Sequence, residues 1–335
     1  MAVSSVALRD SIPFFSYPEL HLTGRSPIFG PVAGGTPLTI FGRNIPHTDL
    51  WCRFGGSAAS VLTPAMFVSS EVLSCASPSS TTLGETNVHV SRNQQDFWLE
   101  TVGFEYVPSV RVTSLIPLKG PIRGLTSVFL RGDNFFPRAE VLGLIICRFE
   151  HHVAPILAPA SQVSASEIVC VTSSEHNLGI SVVEVSANGV DFSADGRTFE
   201  FVHVALSGVH PQQGPRDGGT MVTVRGTGFD VHSHQSSYLR NADLLACEWA
   251  GLELAARTPA TSTFDGSVRC VTPSAPESVV KDEAVRLQVR VGGSSHGPMS
   301  FYYFQTPAIV RIYPVLGPSS GGTLITIDGS AFTSS

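Results

Sequence analysis

The residues best placed to do chemistry are six cysteines, which fall into three pairs of equal spacing. In each pair the second cysteine follows the first by 23 residues: Cys52 and Cys75, Cys147 and Cys170, Cys247 and Cys270. Two thiols at a fixed separation either form a disulfide or stay reduced as small buried groups. Zinc is disfavoured because no Cys-x-x-Cys pair and no second pair of ligands accompanies them. The recurrence predicts one disulfide within each pair, and disulfides indicate an oxidising compartment.

Histidines are weaker candidates for a metal site. The chain has 11 histidines, and two groups stand close in sequence: His151 with His152, and His232 with His234. Each group occurs in one part of the chain only, and the sequence places no further ligand beside it. A solvated loop is therefore the simpler interpretation of both.

Three aspartates near predicted turns complete the candidates. Asp133, Asp191 and Asp195 stand where aspartate commonly hydrogen-bonds its own backbone, although calcium binding is a second interpretation. No acidic loop of the EF-hand type and no Gly-x-Ser-x-Gly motif occurs in the chain. The sequence therefore predicts no catalysis, no bound metal and no other cofactor.

A recurring turn introduces the strands that must position the cysteines. The recurring pattern is Gly-Pro-x-x-Gly-Gly-Thr, followed by alternating apolar residues and a glycine. It begins at Gly30, Gly214 and Gly317, and a degenerate copy begins at Gly120. Glycine pairs open the backbone angles of a tight turn, and the alternation is typical of a half-buried strand. The turn residues are Gly34, Gly35 and Thr36; Gly124 and Thr126; Gly218, Gly219 and Thr220; and Gly321, Gly322 and Thr323. A phosphate-binding loop is the alternative, but such loops join a strand to a helix, whereas these glycines precede a strand.

The spacing of the turns predicts tandem domains. Thr36, Thr126, Thr220 and Thr323 follow one another at 90, 94 and 103 residues. A period near 100 residues, each with its own cysteine pair, is that of one small β domain per repeat. We expect full repeats over 27–108, 109–205 and 206–307, the closing hairpin of a preceding repeat over 1–26, and the truncated start of a fourth over 308–335.

Composition narrows the class of protein. The 335 residues are 42% apolar and 14% charged, with 31 glycines and 23 prolines, which suits many short strands joined by turns. The net charge of −6 argues against general affinity for nucleic acid or an anionic membrane. No apolar run is long enough to span a bilayer, and residues 1–26 do not resemble a signal peptide.

The order of these features resembles the IPT/TIG domain, the immunoglobulin-like domain of plexins, fibrocystin-like surface proteins and some transcription factors. The resemblance rests on the glycine turn, a Gly-x-x-Phe such as Gly226–Phe229, a Cys-x-Phe such as Cys52–Phe54, and a closing Phe-x-Tyr such as Phe104–Tyr106. The second copy departs most, because Leu125 replaces the second glycine of its turn. The resemblance implies an all-β fold of tandem immunoglobulin-like antiparallel β-sandwiches. We expect Trp51 and Trp249 to be core residues against the disulfides, with ligand stacking as the alternative.

The functional expectation is a non-catalytic spacer and protein-interaction array at the cell surface or outside the cell, as part of a longer receptor-like or adhesion-like protein. The protein partner is not identified by the sequence, and neither nucleic acid nor membrane insertion is expected. Two other classes are a carbohydrate-binding accessory to a larger enzyme, which exposed aromatic platforms would favour, and an intracellular DNA-binding TIG protein, which a basic segment would favour.

The last segment carries an expectation of its own. Residues 309–332 hold the turn and first strands of a fourth sandwich without its cysteine pair. A hairpin whose apolar face has no partner is marginally stable. We expect this segment to fray, or to rest on the third repeat through Ile309 and Ile312.

Overall fold

A computed structural model describes most of the chain. The described residues are 19–47, 49–56, 60–150, 154–174, 177–230, 245–251, 253–276 and 284–332. They divide into two compact units. One holds the described residues up to Val110 together with Ala187–Phe192, and the other holds Arg111–Ser186 and the residues from Ser193 onward. Residues 1–18, the pair His151 and His152, and the pair His232 and His234 lie outside the described residues.

The first repeat is an eight-stranded sandwich. Its strands in sheet order are β1 (His21–Ser26), β3 (Pro37–Arg43), β6 (Val72–Ala76), β5 (Val61–Ser69), β4 (Leu50–Phe54), β7 (Gly84–Ser91), β8 (Phe97–Val107) and β2 (Phe29–Pro31). All pairs are antiparallel except β2 with β8. Strand β5 pairs with β4 at one end and with β6 at the other, so a single strand joins the two sheets.

The second repeat has the same topology. Its strands are β9 (Arg111–Ile116), β10 (Lys119–Pro121), β11 (Ser127–Asp133), β12 (Ile146–Glu150), β13 (Ile156–Ser164), β14 (Glu167–Val171), β15 (Gly179–Ser186) and β16 (Arg197–Val202), in the sheet order β10-β16-β15-β12-β13-β14-β11-β9. A one-turn helix, α1 (Pro137–Val141), stands between β11 and β12 with a proline in its first turn. It buries only Ala139, so the fold stays all-β.

The third repeat repeats the order again. Its strands are β17 (Ala205–His210), β18 (Gln213–Pro215), β19 (Met221–Thr227), β20 (Leu245–Gly251), β21 (Leu254–Ser262), β22 (Val268–Val271), β23 (Ala284–Val291) and β24 (Ser294–Phe304), in the sheet order β17-β19-β22-β21-β20-β23-β24-β18. The predicted all-β class of tandem immunoglobulin-like sandwiches is confirmed.

A separate two-stranded hairpin follows the third sandwich. Strands β25 (Ala308–Tyr313) and β26 (Thr326–Ser330) pair antiparallel from Ala308 with Ser330 to Tyr313 with Thr326. Of the two expectations for this segment, fraying or resting on the third repeat through Ile309 and Ile312, the second is not supported, because both isoleucines are exposed. The hairpin therefore keeps these apolar side chains in solvent.

A disulfide crosses each of the three sandwiches. Cys52 of β4 is bonded to Cys75 of β6, and their Cα atoms are 6.5 Å apart. The other two bonds, Cys147 to Cys170 and Cys247 to Cys270, hold Cα atoms 6.2 and 6.3 Å apart. All six cysteines are buried, and in each repeat they join a strand of one sheet to a strand of the other.

Three aromatic rings fill the core beside each disulfide. In the first repeat Phe54 meets Phe104 edge to face at 5.9 Å, and Phe104 meets Tyr106 at 5.2 Å. The corresponding triads are Phe149, Phe199 and Phe201 in the second repeat, and Trp249, Phe301 and Tyr303 in the third. Trp249 is thus the core residue we expected.

The expectation for Trp51 is wrong. Side chains alternate between the two faces of a strand, and Cys52 of β4 points into the core. Trp51, the residue before it, therefore faces outward and is half-buried. Trp249 follows its cysteine by two residues and so shares its face, as Phe54 does.

The two glycines of the first turn, Gly34 and Gly35, are required for different reasons. Gly34 and Gly35 both have positive φ, +76° and +85°. A Cβ on Gly34 would lie 2.5 Å from the Pro78 carbonyl carbon, whereas a Cβ on Gly35 would meet nothing within 4 Å. The first glycine therefore permits close backbone approach, and the second supplies only the left-handed conformation.

This difference explains why the turn of the second repeat can lack its second glycine. Gly124 is retained at the first position, where a Cβ would collide with the Ser173 carbonyl. Leu125 takes the second position at φ +60° with its side chain exposed. The replacement changes the residue at the position that has open space, and the turn is preserved at a strain of about 1 kcal/mol.

Substituting the two glycines of the first turn separately tests this account. We expect Gly35→Ala to lower the unfolding free energy of the first repeat by about 1 kcal/mol, the left-handed penalty alone. Gly34→Ala adds a backbone collision and should cost at least about 2 kcal/mol more. Native-state hydrogen exchange in β3 measures both variants. Equal losses would show that the approach to Pro78 is unimportant.

Candidate interaction surfaces

The glycine turns use their backbone N–H groups inside the protein. The Gly35 amide donates to the Ser77 carbonyl at 2.7 Å, and the Thr36 amide donates to Ser77 Oγ at 3.1 Å. Thr172 and Thr272 accept in the same way from the amides of Thr126 and Thr220, each at 3.0 Å. These donors face the segment after the second cysteine, so the turn does not present them to a phosphate.

The turn threonines differ sharply in how they are covered. Thr36 and Thr126 are 0% and 1% exposed. Thr220 is half-buried, and Thr323 is exposed. The four copies of one motif therefore present two buried and two accessible hydroxyl groups.

A hydrogen-bonded loop covers Thr36 in the first unit. We call the residues Asn188–Asp191 the second Asn–Asp loop. Asn188 Oδ1 accepts from the amides of Val190 and Asp191 at 3.1 and 2.9 Å, and Asn188 Nδ2 donates to Asp191 Oδ2 at 2.7 Å. Thr36 Oγ1 then donates to Asp191 Oδ2 at 2.7 Å, and Asn188 Nδ2 also reaches the Phe29 carbonyl at 2.9 Å. The loop thus recognises a threonine hydroxyl and a backbone carbonyl together.

The first repeat carries the same loop in an exposed position. We call Asn93–Asp96 the first Asn–Asp loop. Asn93 Oδ1 accepts from the amides of Gln95 and Asp96 at 3.0 and 2.8 Å, and Asn93 Nδ2 donates to Asp96 Oδ2 at 2.8 Å. All four residues of this loop are exposed. Within the described residues, Asp96 Oδ2 has no bond corresponding to the one from Thr36.

In the second unit a glycine pair covers Thr126 in place of such a loop. Gly292 and Gly293 follow β23, and a Cβ on Gly292 would lie 2.7 Å from Thr126 Oγ1. With neither asparagine nor aspartate at this place, the buried Thr126 hydroxyl has no hydrogen-bond partner among the described residues. The Thr126 hydroxyl is unpaired because the third repeat has no aspartate at the position from which Asp191 accepts a hydrogen bond from Thr36.

The outer face of one sheet in the first repeat carries exposed apolar side chains. Met66 and Val68 of β5 are 65% and 54% exposed, and Phe41 of β3 is also exposed. Phe41 lies opposite Val72 of β6, and Met66 lies opposite Ser74 of the same strand. Exposed apolar side chains grouped on one face are typical of protein-binding surfaces. We call Phe41, Met66, Val68 and Val72 the apolar face.

A small hollow lies beside a buried tyrosine in the first repeat. It encloses about 190 Å³ and is lined in part by Phe54, Pro78 and Tyr106. Tyr106 Oη donates to the Pro78 carbonyl at 2.9 Å, and burial raises the pKa of this phenol to about 12. The hollow is smaller than usual ligand pockets, and its tyrosine stays neutral at physiological pH.

Two of the three candidate calcium ligands, Asp191 and Asp195, have protein partners, and the third, Asp133, is exposed at the end of β11. Asp191 accepts from Thr36 and Asn188, as described above. Asp195 Oδ2 accepts from the Val112 amide at 2.6 Å, and its other oxygen lies 3.7 Å from the Arg111 guanidinium. Among the residues that the structure describes, no three His, Cys, Asp or Glu side chains are grouped as metal ligands.

Comparisons with known proteins identify the family. The model of the IPT/TIG domain matches residues 20–106, 110–201 and 205–303. The chain belongs to the IPT/TIG family. The predicted family is therefore confirmed for all three sandwiches.

Individual relatives are distant and much longer. The chain is 27% identical to mouse Fibrocystin-L over 313 residues, which is 92% of this chain and 7% of that protein. It is 28% identical to human Plexin-A4 over 251 residues, which is 71% of this chain and 12% of that protein. Among solved structures, the full extracellular region of plexin A4 matches with 19% identity and a TM-score of 0.46, over 92% of this chain and 31% of that one. The chain thus spans a small part of the relatives it matches.

Sequence analysis missed the Asn–Asp loops, although a signal was present. Val88–Phe97 and Val183–Phe192 share the pattern Val-x-Val-Ser-x-Asn-x-x-Asp-Phe. Aligning the IPT/TIG repeats by the strand before this pattern would have paired Asn93 with Asn188 and Asp96 with Asp191. The third repeat interrupts the pattern at Gly292, so a search for features common to all copies passes over it.

A buried histidine lies where the second and third IPT/TIG repeats meet in the second unit. His296 of β24 is 3% exposed and hydrogen-bonds Ser294 Oγ at 3.0 Å. Burial, together with the charges of Arg123 and His203, lowers the pKa of His296 to about 4, although a hydrogen bond with the Val204 backbone acts in the opposite direction. Arg123 of the second repeat also donates to the Ser295 carbonyl at 3.3 Å. The imidazole is therefore neutral in the folded protein at pH 7.

This histidine makes the third repeat acid-sensitive. In the unfolded chain a histidine titrates near 6.5, so between pH 6.5 and about 4 the unfolded state binds a proton that the folded state does not. We expect the unfolding free energy of the third repeat to fall as the pH decreases through that interval. Hydrogen exchange in β23 and β24 at pH 7 and pH 5 measures the change.

The matched variants are His296→Gln and His210→Gln, the second at an exposed histidine of the same repeat. His296→Gln should flatten the pH dependence, and His210→Gln should leave it in place. If the third repeat of the His296→Gln variant stayed as acid-sensitive as the native repeat, the effect would belong to other groups.

Proposed function

We propose that this chain is a non-catalytic spacer and protein-interaction array of IPT/TIG repeats that works outside the cell or at its surface. We place its full repeats at 20–108, 109–204 and 205–307, with the beginning of a fourth from 308. The boundary expected at residue 27 moves to residue 20 because β1 (His21–Ser26) pairs with β3 of the first sandwich, and β17 (Ala205–His210) likewise pairs with β19 of the third. No helix among the described residues has the length and apolar composition needed to cross a bilayer.

The observation that carries the proposal is the threefold recurrence of one disulfide-closed sandwich. Each copy keeps the inter-sheet disulfide, the aromatic triad and the inward-facing turn. Disulfides form and persist in oxidising compartments, which supports an extracellular place of action.

The features that all three repeats share stabilise the fold of each repeat. We therefore assign binding to surfaces that differ between repeats. The turn amides bond Ser77, Thr172 and Thr272, and the aromatic triads are buried. The apolar face of the first repeat is exposed and offers a surface on which a partner protein can remove apolar groups from water.

Exposed aromatic rings of the kind that stack on sugars stand in separate places, such as Phe264 between β21 and β22, which is fully exposed, and Tyr313 of β25, which is 71% exposed. Phe97 of β8 has one face covered by the Arg53 guanidinium, 3.6 Å from the ring centre. Trp51 and Trp98 are half-buried. A net charge of −6 likewise disfavours binding to DNA.

Binding of the whole chain to libraries of cell-surface ectodomains and of glycans tests the proposal. We expect saturable binding to at least one ectodomain protein. Met66→Lys combined with Val68→Lys should weaken that binding about tenfold or more, because both changes put charge on the apolar face. Leu99→Lys, at a residue of β8 that is 93% exposed, is the matched control and should leave the affinity unchanged.

Two results would contradict the proposal. Binding confined to glycans would favour the carbohydrate-binding class instead. Turnover of a substrate by the purified chain, abolished by a single substitution, would show that it is an enzyme.

A further inference from the structure

We propose that Arg53, on the outer face of the sheet formed by β4, β7 and β8, is the centre of a binding site for an acidic side chain of the partner protein. In this contact the terminal nitrogens of the guanidinium, Nη1 and Nη2, donate to the oxygens of an aspartate or glutamate carboxylate. The inference deepens the proposed interaction role and rests on it, since it names the chemistry of one contact with the partner.

The second and third repeats have an ion pair at the place of Arg53. Arg148 follows the first cysteine of its repeat, as Arg53 does, and its Nε donates to Glu184 Oε2 at 2.9 Å. In the third repeat the same place holds Glu248, whose Oε1 lies 3.0 Å from Arg257 Nη2. Both partners belong to the same repeat as the residue they bond, so this place lies on the side of a sandwich and its charge is paired from within the repeat.

In the first repeat this place has a cation without a carboxylate. Strand pairing sets His89 opposite Arg53, where it sets Glu184 opposite Arg148. Among the residues that the structure describes, Arg53 has no hydrogen bond or ion pair, and its Nε is buried without an acceptor. The side chain as a whole is half-buried. The two terminal nitrogens are therefore the donors that an external carboxylate can reach.

An aromatic ring holds the Arg53 guanidinium in place. The central carbon of the guanidinium lies 3.6 Å from the centre of the Phe97 ring, and the His89 ring meets Phe97 edge to face at 6.3 Å. A guanidinium stacked on an aromatic ring still presents its N–H groups at its edge, where a carboxylate binds with two parallel hydrogen bonds. Because the side chain is already held, it loses little conformational entropy on binding.

Charge on this face favours one carboxylate over a polyanion. Arg25 brings a second guanidinium against Gly103 of β8, since a Cβ on that glycine would lie 3.5 Å from Arg25 Nη2. Farther along the same face, Glu85 of β7 and Glu105 of β8 lie directly opposite each other. The arginines attract a single carboxylate, whereas the two glutamates repel an extended chain of anionic groups.

The surroundings of Arg53 are those of a protein interface. Leu62 of β5 lies opposite Arg53 and is 38% exposed. Trp51, two residues before Arg53, shares its face and is half-buried. Arginine and tryptophan are enriched among the residues that dominate binding energy between proteins. An apolar border also excludes water from the ion pair, which strengthens it.

His89 is an internal reporter of a bound anion. Burial and the neighbouring Arg53 charge lower the pKa of its imidazole, so the ring is neutral at pH 7. A carboxylate bound to Arg53 offsets the arginine charge and favours the protonated imidazole. Binding should therefore raise the pKa of His89.

Nuclear magnetic resonance of the whole chain tests the site with a defined probe. The probe is N-acetylglutamate methylamide, which has one side-chain carboxylate, and the matched neutral compound is N-acetylglutamine methylamide. We expect the glutamate compound to shift the signals of Arg53 Nε–H and the His89 ring saturably. Its dissociation constant should be at least about tenfold lower than that of the glutamine compound. Titration of the His89 ring signals with and without the probe measures the pKa change.

Two substitutions remove the site in different ways. Arg53→Gln removes the guanidinium, whereas His89→Glu places a carboxylate opposite Arg53, as Glu184 is opposite Arg148, and so occupies the site from within. Each should weaken binding of the glutamate compound at least about tenfold. Ile180→Glu is the matched control, because it adds a negative charge at an exposed residue of β15 in the second repeat. It should leave the affinity unchanged within about twofold.

Any of four results would overturn the proposal. These are equal affinities of the two compounds, binding that survives both Arg53→Gln and His89→Glu, a shift of the same signals at lower concentrations of a heparin hexasaccharide or sialyllactose, and captured ectodomains whose affinity Arg53→Gln leaves unchanged. Hydrogen exchange in β4 and β7 verifies that each variant is folded. Ectodomain binding through the apolar face uses the other sheet and is measured with other variants, so the proposed function can stand when this inference fails.

Discussion

The disulfide between the two sheets is the constraint on which each repeat depends. It ties Cys52 of β4 to Cys75 of β6, and therefore fixes the residues that directly follow Cys75. Ser77 accepts hydrogen bonds from the turn amides of Gly35 and Thr36. The Pro78 carbonyl leaves no room for a Cβ at Gly34 and accepts a hydrogen bond from Tyr106 Oη. Covalent bond, turn and aromatic triad thus meet at one short segment, and the third repeat repeats the arrangement at Pro273 with Tyr303.

The second repeat shows how far this arrangement tolerates change. It has Ser173 in place of the proline, Phe201 in place of the tyrosine and Leu125 in place of the second glycine. The disulfide, the first glycine and the hydroxyl of Thr172 remain. The retained features are those that cannot be replaced without harm. A larger residue at Gly124 would collide with backbone, and without the Thr172 hydroxyl the buried amide of Thr126 would be unpaired. Either change would cost more unfolding free energy than the loss of one exposed or local contact.

Much of the fold could be predicted from the sequence because its determinants are local or repeated. Equal cysteine spacing, the glycine turns and the alternation in Leu38 to Ile40 each recur, and recurrence separates signal from chance. The aromatic character of Trp51 suggests a core position, but the two-residue period of a strand decides its face, and a residue next to the inward-facing Cys52 points outward. Leu125 is tolerated because the second position of the turn has open space, as at Gly35, and open space depends on the packing of neighbouring segments rather than on local sequence.

The candidate surfaces were harder to predict for a different reason. Thr36 and Asp191 are 155 residues apart, and nothing in either local sequence indicates that they meet. The burial of His296 likewise depends on Arg123, far away in the chain. Contacts between repeats are set by how each repeat presents its loops, so they are the least visible to a reading of one sequence.

Hydrogen exchange at the turn amides, after removal of one disulfide, tests the dependence on the inter-sheet bond most directly. In the variant Cys52→Ala with Cys75→Ala, the loss of a cross-link over 23 residues should destabilise the first repeat by about 3 kcal/mol. The amides of Gly35 and Thr36 should then exchange about a hundredfold faster, while those of Gly219 and Thr220 stay unchanged. Unaltered exchange at Gly35 and Thr36 would show that the turn holds without the disulfide and would contradict the account.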